Sequence, residues 1–162
     1  MRIKIVTIGV YGFDEKRFFQ ALVDAKVDTF CDIRLRRGMR GSEYAFANST
    51  KLQHKLGELA IKYLHMKDLA PTQAMRETQK LEDDKLGEAK RTRKFLGQTF
   101  IDSYKKECLA HFDSHDFLEQ IGYNTEVVSL FCVERDYEAC HRSLAAKKLA
   151  QELGLQVAHL HP

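Results

Sequence analysis

Between residues 130 and 142 the chain reads LFCVERDYEACHR, an apolar run that stops at Cys132 and then supplies Glu134, Arg135, Cys140, His141 and Arg142. Two thiols, a carboxylate, an imidazole and two guanidinium groups therefore fall within one short stretch. Glu134, one charged step past the apolar run, is a candidate for proton transfer. Cys140 falls in the first turns of an expected helix, where the helix dipole lowers a thiol pKa and makes a thiolate more available. Arg142 offers a planar fork to a phosphate or carboxylate, with His141 and Arg135 as further anion contacts. The competing structural readings are plain: Cys132 as a small buried hydrophobe at a strand end, and Glu134 as half of a surface ion pair with Arg135.

The same residues supply soft and borderline metal ligands. However, Cys-x7-Cys-His matches no common zinc spacing, and no Cys-x2-Cys is present. No metal or other cofactor is expected on that ground, with zinc left as an open alternative. A cysteine-dependent phosphatase needs Cys-x5-Arg after a strand, and six residues beyond Cys132 stands Glu138. That family is rejected.

Further candidates lie upstream. Asp32-Ile33-Arg34 places Asp32 and Arg34 on one face of a strand by the period of two, as a structural ion pair or as a ligand-positioning pair. Gly9, Tyr11 and Gly12 follow the first apolar run as a strand-to-helix turn, without the third glycine of a dinucleotide fingerprint. His65 closes the segment KYLHM, and His159 or His161 closes the chain.

Five segments read as strands: 3–8, 28–33, 62–66, 126–132 and 155–160. Helical spacing follows Asp14 as N-cap (Phe18, Leu22, Val23), follows a cap at Asn48 or Ser49 (Leu52, Leu56, Leu59), and recurs over 95–112. A last helix spans about 137–153 and stops at Gly154. Strands alternating with helices predict a single α/β domain over residues 1–162, a small, mostly parallel, doubly wound sheet in three layers. In such sheets ligands bind beyond the carboxyl ends of the strands, the edge to which all the candidate residues belong. Residues 67–94 are polar and charge-dense, an excursion that serves as a lid or as an inert insertion.

Composition bounds the partners. The 162 residues are 44% hydrophobic and 30% charged, with a net charge of +3. No apolar run reaches the length of a membrane span, so no membrane partner is expected. A cytoplasmic chain with reduced thiols is the expectation. Basic charge is concentrated in RLRRGMR (34–40) and KRTRK (90–94).

TIG at 7–9, DIR at 32–34, KYLHMKDLA at 62–70, LFCVERDYEACHR at 130–142 and VAHL at 157–160 together resemble the domain-of-unknown-function 488 family. The resemblance implies an α/β domain whose motif positions fall on Cys132, Glu134, Cys140, His141 and Arg142, with Asp32 and Arg34 from the earlier strand. The chain departs from it twice. It has Gly9-Val10-Tyr11 where the family commonly has Gly-His-Ser or Gly-Tyr-Ser, and Leu69-Ala70-Pro71 where the family has Leu-Gly-Gly. The family carries no settled activity.

The expected function is an enzyme or ligand-binding domain acting on a small phosphate-bearing compound, a nucleotide or a nucleic-acid end. Arg34 and Arg142 would hold the anion and Glu134 would move the proton. A non-catalytic nucleic-acid-binding module gripping the backbone with the two basic runs is the first alternative. A thiol- or metal-dependent protein using Cys132 and Cys140 is the second.

Overall fold

In a computed structural model, which describes residues 2–162, the five expected strands form one parallel sheet. They are β1 (Lys4–Ile8), β2 (Thr29–Asp32), β3 (Lys62–His65), β4 (Val127–Phe131) and β5 (Gln156–Leu160), in the order β3-β2-β4-β1-β5. The helices are α1 (Glu15–Asp24), α2 (Ser49–Glu58), α3 (Gln73–Lys85), α4 (Gln98–Glu107), α5 (Ser114–Ile121) and α6 (His141–Leu153).

The central strands run almost wholly apolar because they are covered on both faces. β1 beyond Lys4, all of β2 and β4 beyond Val127 are buried. The steps β1→β2→β3 move one way along the sheet, and β3→β4→β5 move back. Right-handed crossovers therefore put α1 and α2 on one face and α3 to α6 on the other. Packing agrees. Phe18 of α1 meets Phe30 and Phe131 at ring separations of 6.4 and 5.6 Å, whereas α6 packs on β1, β4, β5, α4 and α5.

Local signals explain most boundaries. Asp14 caps α1 by accepting a hydrogen bond from the Arg17 amide at 2.8 Å. Gly154 ends α6 in the left-handed region at φ 66°. The final helix starts at His141 rather than 137, because Tyr137–Ala139 form a separate 3-10 turn and Cys140 is extended at the N-cap. The helix expected over 95–112 is shorter, α4 followed by a 3-10 turn at Leu109–His111. The excursion carries one full helix, α3, capped by Thr72. No helix among the described residues is long and apolar enough to cross a membrane.

Candidate functional site at the carboxyl edge

β1 and β4 are neighbours whose following connections leave toward opposite faces of the sheet, which makes the space beyond Ile8 and Phe131 the switch-point crevice. Backbone fills that space. The amides of Val10 and Tyr11 both donate to the Val133 carbonyl at 3.0 Å, zipping the loop after β1 to the loop after β4. Gly9 is required there, since a Cβ at that position would stand 1.9 Å from the Glu134 carbonyl oxygen.

Arg142 locks the second loop. It is 1% exposed and donates from Nη1 to the Glu134 carbonyl (2.6 Å) and from Nη2 to the Arg135 carbonyl (3.2 Å). The fork read from sequence as an anion clamp holds main chain. Arg135 itself is exposed.

Arg34 is likewise committed. It is 3% exposed and forms a two-pronged pair with Asp32, Nε to Oδ1 at 2.9 Å and Nη2 to Oδ2 at 2.8 Å. Tyr63 donates its hydroxyl to the same carboxylate at 2.7 Å, and the guanidinium lies over the Phe131 ring. Its Nη1 remains buried without a partner. His65 bonds the Arg34 carbonyl through Nε2 at 2.9 Å. This assembly packs on the Phe131 ring, which meets Phe18 of α1, whereas Arg142 reaches the loop after β4 from α6. A cleft of about 940 Å³ does lie between α1 and α2, touching the rim only at Gly12 and Tyr44, and neither Arg34 nor Arg142 lines it.

What the fold does gather is the thiol set. Cys132 sits just past β4, Cys140 is the N-cap of α6 and His141 is its first residue. The two sulfurs and one ring nitrogen of His141 lie within 4.8 Å of one another, all buried. The sulfur of Cys140 is 3.7 Å from His141 Nδ1, and His141 Nε2 bonds the Ile33 carbonyl at 2.9 Å. Burial acts to raise the Cys140 thiol pKa. The hydrogen bond from Cys132 and the positive charge of His141 and Arg142 outweigh it and hold that pKa well below the ordinary thiol value. Burial, with the neighbouring Cys140, pushes Cys132 well up. Adjacent His141 and Arg142 diverge as a helix demands, the first to the sulfurs and the second to the carbonyls.

Glu134 completes the cluster. It is 5% exposed, and its Oε1 accepts from Arg93 Nη2 at 3.1 Å and stands 3.9 Å from Lys90 Nζ. Its Oε2 is buried with no partner. The negative charge of Glu134 raises the pKa of Lys90 and of Arg93 against the burial that would lower them. Arg93 also pairs with Asp83 at 2.8 Å and donates to the Ala139 carbonyl, and the Leu96 amide donates to the Glu138 carbonyl. The end of the excursion, residues 86–97, is thus strapped across the loop that carries the thiols. Tyr11 lies at its rim, its ring 5.3 Å from that of Tyr44, with the Arg91 guanidinium 5.3 Å from both ring centres.

Sequence reasoning saw Lys90 and Arg93 only as members of a charge run. Nothing in KRTRK distinguishes the arginine that turns inward from those that stay in water. Tyr63 and Asp83 were missed for the same reason, because their partners are distant in sequence.

A doubly wound sheet with its polar groups at the switch point defines the class of protein. The model of the family Domain of unknown function DUF488 matches residues 14–149, and the chain belongs to that family. No curated protein and no solved structure matches it.

Proposed function

We propose that the protein acts on a phosphate-bearing compound, a nucleotide or a nucleic-acid end, taken up beneath the 86–97 strap. One observation carries this reading: Lys90 of the strap stands 3.9 Å from the buried Glu134 carboxylate, with the exposed Arg91 next to it in the chain. Lys90 and Arg91, whose carboxylate partners Glu134 and Glu43 stand no closer than 3.9 and 3.6 Å, are the cations assigned to an incoming anion, since Arg34 and Arg142 are engaged in shorter buried hydrogen bonds. Glu134, with one unpartnered oxygen, is the group to take or give a proton. Arg93 must release Ala139 or Glu134 for the strap to lift, a small rearrangement of the kind by which lids admit substrates.

The test is a thermal-shift comparison with inorganic phosphate and a panel of nucleotides. A ligand that binds only the folded chain raises its melting temperature by mass action. Wild type should shift upward, and a Lys90→Ala/Arg91→Ala variant should lose about 1–3 kcal/mol of binding. Equal shifts in both chains would sink the reading.

A second reading has its own observation. Arg91 reaches both Tyr44 and Glu43 (3.6 Å), on the loop that follows RLRRGMR, so the second basic run lies against the segment next to the first. That arrangement favours a non-catalytic nucleic-acid-binding module, whose affinity for generic nucleic acid falls linearly in logarithmic salt and which turns over nothing.

A further inference from the structure

We propose that Cys132, Cys140 and His141 form a three-ligand centre for a borderline divalent metal ion of the zinc or cobalt kind, with the fourth position left to water or substrate beside Glu134. The inference rests on the reading of this cluster as the reaction centre and adds the cofactor class to it.

Four observations converge. The first is spacing. An ion bound tetrahedrally at about 2.3 Å from sulfur and 2.0 Å from nitrogen sets its ligands about 3.6 Å apart. Cys140 Sγ and His141 Nδ1 stand at 3.7 Å, and all three donor atoms fall within 4.8 Å. The second is the tautomer. A carbonyl can only accept, so the Nε2 that bonds Ile33 carries a proton, and Nδ1, which faces the sulfurs, is the ring atom left to ligate once the metal displaces any proton it holds. Metal-bound histidines are oriented in this way by a backbone or carboxylate acceptor behind the ring.

The third is support. Cys132 directly follows a central strand and Cys140 caps a thirteen-residue helix, so both sulfurs are held next to rigid elements. The fourth is the carboxylate. Glu134, two residues beyond Cys132, keeps a buried oxygen with no partner, and Arg93 ties its other oxygen to the carbonyl of Ala139, the residue before Cys140. A buried, half-satisfied carboxylate is costly unless something else occupies its free side, and a metal-bound water donating to Oε2 would satisfy it. Three protein ligands with an adjacent carboxylate is the pattern of centres that activate water rather than of closed structural sites.

Sequence spacing hides this set because the two cysteines are not on one knuckle. The chain leaves the strand, makes the Tyr137–Ala139 turn and returns at the helix start. On binding, the ion displaces the remaining thiol protons to solvent, and the sulfurs stay reduced.

The test uses the full-length chain, stripped with a chelator under reducing conditions and titrated with Co²⁺. The expected result is one tightly held equivalent. It should show near-ultraviolet thiolate-to-cobalt absorption and the intense visible bands of a tetrahedral site, both displaced by Zn²⁺. Cys140→Ser should weaken the near-ultraviolet band, and His141→Gln should abolish tight binding. Glu134→Gln should retain the ion, because Glu134 is placed beside the metal and not on it. Circular dichroism checks that each variant is folded. The wild-type titration needs no variant, so misfolding cannot rescue the proposal. Absence of a bound equivalent in wild type overturns it, as do weak bands typical of oxygen ligands. Rapid closure of a Cys132–Cys140 disulfide that added Co²⁺ does not slow would overturn it in favour of dithiol redox chemistry. A chain that binds cobalt but no phosphate-bearing ligand sinks only the anion reading, and the converse sinks only the metal.

Discussion

Arg142 shows how one residue's role changes when its surroundings are known. A guanidinium one step into a helix reads from sequence as an anion fork. Here both ends of that fork are spent on the carbonyls of Glu134 and Arg135, and the side chain is 1% exposed. Lysine retains the charge and cannot span two carbonyls from one rigid plane. Arg142→Lys is therefore expected to lower unfolding stability by about 1–3 kcal/mol, the cost of buried acceptors left unsatisfied. Urea denaturation measures it. Unchanged stability with weakened phosphate binding would restore the ligand-facing role. Gly9 belongs to the same device, since the close approach of Glu134 that it permits brings that carbonyl within reach of Arg142.

At the scale of elements, the strap over 86–97 turns on Arg93. This side chain joins Asp83 on α3, Glu134 on the loop after β4 and the Ala139 carbonyl, all buried. Gln79 reinforces the base of the strap by accepting from the Gly97 amide at 2.9 Å and donating to Asp83 at 2.8 Å. Replacing Arg93 with Gln leaves buried Asp83 without its cation and Glu134 with only the longer contact to Lys90, a loss of about 3–5 kcal/mol in comparable buried pairs. The strap should loosen before the sheet does, because it contributes few apolar contacts; Leu86 and Phe95 are 78% and 72% exposed. Limited proteolysis should cut Arg93→Gln within 86–97 much faster than wild type, with the sheet fragment surviving. Identical digestion patterns would show that the strap is held by something else.

Across the whole molecule, the last strand closes the fold through His159. Its Nδ1 meets the Thr7 hydroxyl of β1 at 2.6 Å, and its ring stacks on Tyr137 with centres 3.7 Å apart. Burial, with the positive charges of Arg142 and His161, holds the His159 pKa below the ordinary histidine value, against a smaller opposing pull from Glu138. The sign follows directly. The unfolded chain takes up this proton more readily than the folded one, so the His159 contribution is intact above the ordinary histidine range and declines as pH falls through it. His141 works the other way, its pKa raised by Cys140 against burial. The informative quantity is thus a difference between chains. His159→Asn keeps a polar atom for Thr7 and does not titrate, so wild type should lose stability relative to this variant as pH drops from about 7 to about 5. Parallel stability curves for the two would disprove the assignment.

Much of the architecture was legible in the chain because it follows from local rules. All five strands fall within one or two residues of the apolar runs, and Asp14 and Gly154 bound their helices as their chemistry dictates. The Asp32–Arg34 ion pair is one of the two roles the sequence left open for these residues. α5 escaped notice although Asp113 caps it and Phe117 and Ile121 give helical spacing, since a segment of eight residues offers too little periodicity to stand out.

What only the tertiary structure decided was which polar groups meet. Cys132, Cys140 and His141 converge because β4, a 3-10 turn and the start of α6 fold back on one another, a distance that residue counting does not measure. Arg93 turns inward to Asp83 and Glu134 while Arg91, two residues earlier in the same basic run, stays in water. Charge runs and motif spacings carry no information about burial. Burial depends on what the rest of the chain brings to the other side, and here it divides the arginine that turns inward to buried carboxylates from the one that stays in water.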